Sequence, residues 1–192
     1  MFFNGYKTMI RIEQIRLITE KILEFFTVTL LLSLTLIVLL AVAFRTLGSS
    51  ITWYDEVASI GLAWLSFYGA NLAAIKRAHM GFPSFVSNAH PFIRIILFIL
   101  SELIVVSFFI IMAYYGYQVL DVLAWDSLVS LPQVSLTFTQ SVIPVSSVLF
   151  IICELLSLPG AWKKMKQGID SDHEAIEEAI RLAEQGLKEQ RL

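Results

Sequence analysis

The sequence predicts an all-α integral membrane protein of four transmembrane helices with both termini cytoplasmic, and three observations carry that prediction. Two uncharged apolar stretches, Phe25 to Phe44 and Val57 to Ile75, hold 20 and 19 residues, each enough to cross a hydrocarbon core about 30 Å thick at about 1.5 Å per residue. The composition is 57% apolar and 16% charged with a mean hydropathy of +0.73, more apolar surface than a soluble globule of 192 residues can hide. Finally, Lys and Arg alternate between the two sides of the spans in the manner of the positive-inside rule.

Taken in order, the segment 1–24 has Ile12, Ile15, Ile18 and Ile22 at helical spacing with Arg11, Arg16 and Lys21 between them. This predicts a helix lying on the cytoplasmic interface. The first span, 25–44, ends in Ala41-Val42-Ala43, which superficially offers a signal-peptidase site. Secretory apolar regions run about 7–15 residues, so this longer run behind a charged leader is expected to stay as the first span. The second span is 57–75. The third, 95–120, is broken only by Glu102, and the fourth, 142–162, only by Glu154.

In lipid each span must satisfy its own backbone hydrogen bonds, so these β-branched and aromatic runs read as helices. Pro83, Pro91 and Pro132 fall in connections, Pro144 in the first turn of the fourth helix, and Pro159 in its last turns, where a bend or stop is expected. The membrane domain is thus 25–165. The tail, 166–192, carries a capping box, Ser171 with Glu174, followed by Ile176, Ile180, Ala183 and Leu187 on one face of an amphipathic helix.

Four basic residues precede the first span (Lys7, Arg11, Arg16, Lys21), Arg45 alone lies in the first loop, and Lys76, Arg77 and Arg94 lie in the second. The third loop has none, and the tail has Lys163, Lys164, Lys166, Arg181, Lys188 and Arg191. Both termini and the middle loop are therefore expected in the cytoplasm, with 45–56 and 121–141 on the opposite side.

Several function classes lose support. A net charge of -2 with no basic face argues against a nucleic-acid partner. The lone Cys153 sits in an apolar run, so neither an intrachain disulfide nor a cysteine metal cluster is available. His79, His90 and His173 lack metal-ligand spacing, and no phosphate loop or catalytic constellation is present, so no metal, cofactor or enzyme activity is expected. The spans show no internal repeat and no midplane Gly/Pro break of the kind a self-contained carrier uses.

Three groupings remain as candidates. Arg45 closes the first span and Asp55-Glu56 open the second at the same depth, which suggests an ion pair. The local alternative has Thr52 capping the second helix, its carboxylates favouring the helix dipole and Trp53 in the interfacial belt. Glu102 lies eight residues after Arg94 and Glu154 nine before Lys163, both roughly 12–14 Å from the cytoplasmic boundary. Carboxylates at that depth suggest a shared proton site or, alternatively, polar contacts between helices. Gly69 and Ala73 form a small-xxx-small pair suited to close helix approach, within the bundle or against a partner.

Trp53-Tyr54-Asp55-Glu56, Phe67-Tyr68-Gly69-Ala70, Lys76-Arg77-Ala78-His79 and Pro144 entering the fourth span together resemble the small membrane subunit of tripartite ATP-independent periplasmic (TRAP) transporters. The similarity covers about residues 20–165. Its strongest elements are the W-x-D/E-E motif and the basic-x-x-His end about 20 residues later. Where the family often has an Asp four residues after this histidine, the chain has Pro83.

The resemblance implies a bacterial inner-membrane, multi-pass subunit paired with a larger membrane subunit that carries the solute and sodium sites. A periplasmic solute-binding protein would deliver an organic acid. The small subunit would then extend the scaffold, and the third loop, with Trp125, Asp126 and Gln133, and the first loop would be docking candidates. Two alternatives stay open: a small homo-oligomeric exporter or channel using an intramembrane Glu, and an assembly subunit of a respiratory or other membrane complex.

Overall fold

The computed structural model describes residues 2–49, 51–77, 91–167 and 180–181, with side chains over 12–49, 51–77, 92–162 and 180–181. Its helices are α1 (Phe2–Thr46), α2 (Tyr54–Lys76), α3 (Pro91–Val122), the short α4 (Leu136–Gln140) and α5 (Val142–Gln167). Among the described residues four helical segments are long and apolar enough to cross a membrane: Ile12–Thr46, Tyr54–Lys76, Phe92–Val122 and Leu136–Trp162. Each contains one of the spans expected from hydropathy, so the chain is a multi-pass all-α membrane protein.

α1 is unbroken at residue 24, where the interfacial segment was expected to give way to the first span. Its 45 residues contain no Pro, and its only Gly, Gly5, falls in the first turns. The helix ends where Gly48, at φ 80°, lets the chain turn: Gly48 N–H donates to Arg45 O and Ser49 N–H to Phe44 O, the paired reverse bonds of a glycine C-terminal cap. Arg45, in the last turn, suits the negative end of the helix dipole.

The side of α1 turned inward is Arg16, Glu20, Leu23, Thr27, Leu30, Leu34, Ile37 and Ala41, all buried or half-buried and alternating in steps of four and three. That 3.5-residue repeat is the seam of a left-handed supercoil. α2 supplies the partner surface, and a Cβ on Gly61 would come within 3.3 Å of the Leu34 side chain. Opposite, Ile18, Ile22, Phe25, Leu32, Leu36 and Leu39 are exposed. α3 likewise buries none of its most apolar window, whereas 44% of that of the α4–α5 segment is buried.

The chain forms two compact units, Met1–Ala78 with Val105–Ser157, and His79–Ile104 with Leu158–Leu192. The first has a core of Leu23, Ala74, Ile75, Phe150 and Cys153, with Tyr68, Val105 and Phe109 packed against it. Phe109 stacks on Phe150 at 3.6 Å between ring centroids, and Phe26 meets Tyr68 edge-on at 4.6 Å. In the second unit Phe98 and Trp162 approach to 5.8 Å.

Two local expectations are corrected. Of the bend or stop expected at Pro159, the stop is absent, since α5 runs through to Gln167; a proline removes one N–H from the ladder, a loss that spanning helices tolerate. The residue ahead of α2 in the capping position is Trp53, not Thr52, and no side chain caps the helix. Its φ of -91° and ψ of -8° are already helical, unlike the extended backbone that lets a capping hydroxyl turn back. Of the tail helix, only Ile180 and Arg181 are among the described residues, both helical and exposed.

Candidate functional site

A seam of polar contacts joins α2 to the segment 129–157. Glu56, in the first turn of α2, accepts hydrogen bonds from Val129 N–H (3.1 Å), from Ser130 N–H (2.8 Å) and from the Ser130 hydroxyl. Two turns on, Trp64 Nε1 donates to Thr139 O at 2.9 Å. Asn71 Nδ2 donates to Ser146 Oγ at 2.8 Å. At the far end Arg77 Nε donates to Ser157 Oγ at 2.8 Å, and its guanidinium lies 2.8 Å from Glu154 Oε1.

The partners in these contacts are 73 to 80 residues apart. A nearly constant offset means that the two segments run parallel and in step; an antiparallel pair would hold the sum of the numbers constant instead. Parallel is also what the second and fourth spans of an alternating chain must be. Of the buried polar residues identified among the described ones, Asn71, Thr139, Ser146, Glu154 and Ser157 lie along this seam, whereas the Ser147 hydroxyl donates to Ile143 O of its own helix. Polar groups in lipid are costly unless paired, so the seam fixes which faces of α2 and α5 meet.

Arg77 reaches the seam by an unusual backbone. Following α2, it adopts φ 54° and ψ 33°, the left-handed region, and its N–H closes the helix onto Ala73 O and Ala74 O. Non-glycine residues occupy that region at a cost of about 1–2 kcal/mol, which the ion pair and the hydroxyl contact offset. The basic residue counted with the middle loop thus turns back as the partner of Glu154.

At the other end, loop 123–135 is ordered. Leu128 N–H donates to Val134 O (3.0 Å) and Leu136 N–H to Asp126 O (3.0 Å), Ser127 and Ser135 pair as an antiparallel bridge, and Val134 N–H closes a turn onto Leu131 O (2.9 Å). Pro132 occupies the second position of that turn, where its fixed φ is favoured. Ser135 Oγ caps α4 by accepting from Thr137 N–H, and Leu128 is buried beneath. Trp125 is 96% and Val129 91% exposed.

The residues singled out from sequence are placed as follows. Arg45 makes no ion pair with Asp55 or Glu56 among the described residues, correcting that expectation; the Glu56 carboxylate is already engaged by three donors of loop 123–135. Asp55 is exposed, and Trp53 is exposed at the start of α2. Glu154 pairs with Arg77 of the same chain, a polar contact between helices. Glu102 is half-buried on α3. Ala73 is half-buried, and a Cβ on Gly69 would meet nothing within 4 Å among the described residues. Asp126 and Gln133 are exposed. His79 lies outside the described residues. No cluster of potential metal ligands occurs among the described residues.

Sequence reasoning did not single out Trp64, Asn71, Ser130 or Ser146, and it read Arg77 only as a loop cation and as part of the Lys76–His79 motif. Asn71 carried a usable signal, since a lone amide in the middle of an apolar span needs a partner on another helix. Ser130 carried none, because the contact depends on how the loop folds.

No curated protein matches the chain at a significant level. A protein-family model does, over residues 34–164: tripartite ATP-independent periplasmic transporters, DctQ component. That family comprises transporter components, not enzymes, and works with a large membrane subunit and a periplasmic binding protein. The match spans α2 to α5 almost entirely, including every contact of the polar seam, and the chain belongs to the DctQ family of small TRAP transporter subunits.

Proposed function

We propose that this chain is a fixed scaffold for the large transport subunit in sodium-driven uptake of an organic acid across the bacterial inner membrane. Its loop 123–135 is, in this reading, part of the surface on which the periplasmic binding protein docks. The observation that carries the scaffold role is the division of polar and apolar surface. Five of the six buried polar residues identified above lie along one internal seam, while α1 and α3 present apolar side chains outward. A chain built this way offers rigid apolar faces to a neighbour. Transport of a charged solute needs polar groups facing a path, and the seam engages its own in holding α2 to α5.

The orientation follows from the distribution of Lys and Arg: both termini cytoplasmic, loops 45–56 and 121–141 periplasmic. Gln133 is exposed in the latter loop. Gln133→Cys, in a Cys153→Ala background, labels with a membrane-impermeant maleimide from the periplasmic side; labelling solely from the cytoplasmic side refutes the orientation and with it the docking role. Affinity purification from native membranes returns a stoichiometric large polytopic subunit. Recovery of a homo-oligomer without that subunit contradicts the scaffold reading.

A further inference from the structure

We propose that Glu56 is a positioning residue for docking: by gathering the Val129 and Ser130 amides and the Ser130 hydroxyl onto one carboxylate, it fixes loop 123–135 so that Trp125 and Val129 are presented to the binding protein. The proposal rests on the docking role given above and assigns its control to a residue outside the docking loop.

The loop's own hydrogen bonds show why an outside group is needed. Leu128, Val134 and Leu136 N–H groups all find acceptors within 123–135, and the turn at Leu131–Val134 closes on itself. The two successive amides between these bonds, Val129 and Ser130, instead point to Glu56. An ionised carboxylate accepts only, with room for several donors, and three converge on it here. Such charge-assisted bonds are stronger than neutral ones.

Glu56 is itself held in place, because α2 is tied to the last span at Trp64, Asn71 and Arg77. The carboxylate forms no cap for its own helix. Beneath the loop Leu128 is buried, so the loop is pinned at two points, with Trp125 and Val129 left almost wholly exposed. Holding a large aromatic in one exposed arrangement lowers the ordering cost when a partner binds it. Asp55, next along α2, is exposed and takes no part in the clamp, which makes it the natural control.

The experiment uses the complete transporter, this chain with the large subunit in proteoliposomes, and titrates the purified binding protein loaded with solute. Glu56→Gln keeps the size of the side chain but replaces an acceptor by an amide NH2 facing N–H donors. Exchange of the Val129 and Ser130 amides, followed by hydrogen–deuterium exchange, is expected to quicken by about tenfold or more, the scale of losing bonds to a charged group. The half-saturating concentration of binding protein rises severalfold, with a much smaller change in the rate at saturation. Ser130→Ala shifts both readouts in the same direction by less, and Asp55→Asn shifts neither.

Unchanged amide exchange in Glu56→Gln overturns the proposal. Faster exchange with an unchanged half-saturating concentration also overturns it, and Trp125→Ala then tells the two readings apart. If Trp125→Ala raises the half-saturating concentration, the docking role stands without Glu56. If Trp125→Ala leaves it unchanged, the docking role itself fails.

Discussion

The Arg77 guanidinium lies 2.8 Å from the Glu154 carboxylate and ties the end of α2 to the inner face of α5. With 7% of the Glu154 side chain and 27% of the Arg77 side chain exposed, the pair is largely withdrawn from solvent. Removing one partner strands the other charge, so Arg77→Ala or Glu154→Ala is expected to cost about 3 kcal/mol, the lower end for buried pairs because Arg77 keeps some access to water. Replacing both by Met should cost less than either single change. Thermal unfolding of the detergent-purified chain checks the order; a double variant less stable than both singles would mean that the pair contributes net stability beyond the stranding of a charge.

Gly116 and Gly69 predict opposite outcomes. A Cβ on Gly116 would sit 3.0 Å from Ile143 Cγ2 and 3.2 Å from Pro144 Cδ, where α3 crosses the start of α5. Gly116→Val is therefore expected to lower stability by about 1–3 kcal/mol through overpacking. Around Gly69 a Cβ meets nothing within 4 Å, so Gly69→Ala should raise the stability of the isolated chain by up to about 1 kcal/mol from helix propensity. If this face meets the large subunit, Gly69→Leu leaves the melting temperature of the isolated chain intact and weakens co-purification. The pair of measurements separates intrachain packing from partner packing.

How much of this was legible in the sequence differs by level. The four spans were readable because length and hydropathy are properties of contiguous residues, and lipid forces such runs to be helical. The family motif at Trp53–Glu56 was readable as a pattern, but its physical role was not. Arg45 and Glu56 look like partners because they are close in the chain and opposite in charge, whereas Glu56 engages amides more than 70 residues away. Neutral backbone donors leave no trace in composition. Arg77 misleads in the same way: it reads as a loop cation for orientation, and only a left-handed turn at its own backbone brings it onto Glu154.

Asn71 tests the seam at its middle. Its Nδ2 donates to Ser146 Oγ, while its buried Oδ1 has no hydrogen-bond partner among the described residues. The single variant Asn71→Ala should cost about 1–2 kcal/mol, the scale of polar contacts between spanning helices. Asn71→Leu with Ser146→Ala removes donor and acceptor together while keeping the branched shape of the side chain, and is expected to recover part of the stability lost in the single variant. A double variant as unstable as the single one would show that the amide has a further partner.

The central claim, that this DctQ chain supports a transporter without itself moving solute, is tested most directly by uptake into sodium-free proteoliposomes with and without sodium in the external medium. Vesicles are prepared with this chain alone, with the large subunit alone, and with both, each with the binding protein supplied outside. The account predicts sodium-dependent accumulation with both subunits, a large loss when this chain is omitted, and no uptake with this chain alone. Solute uptake by the isolated chain would contradict it.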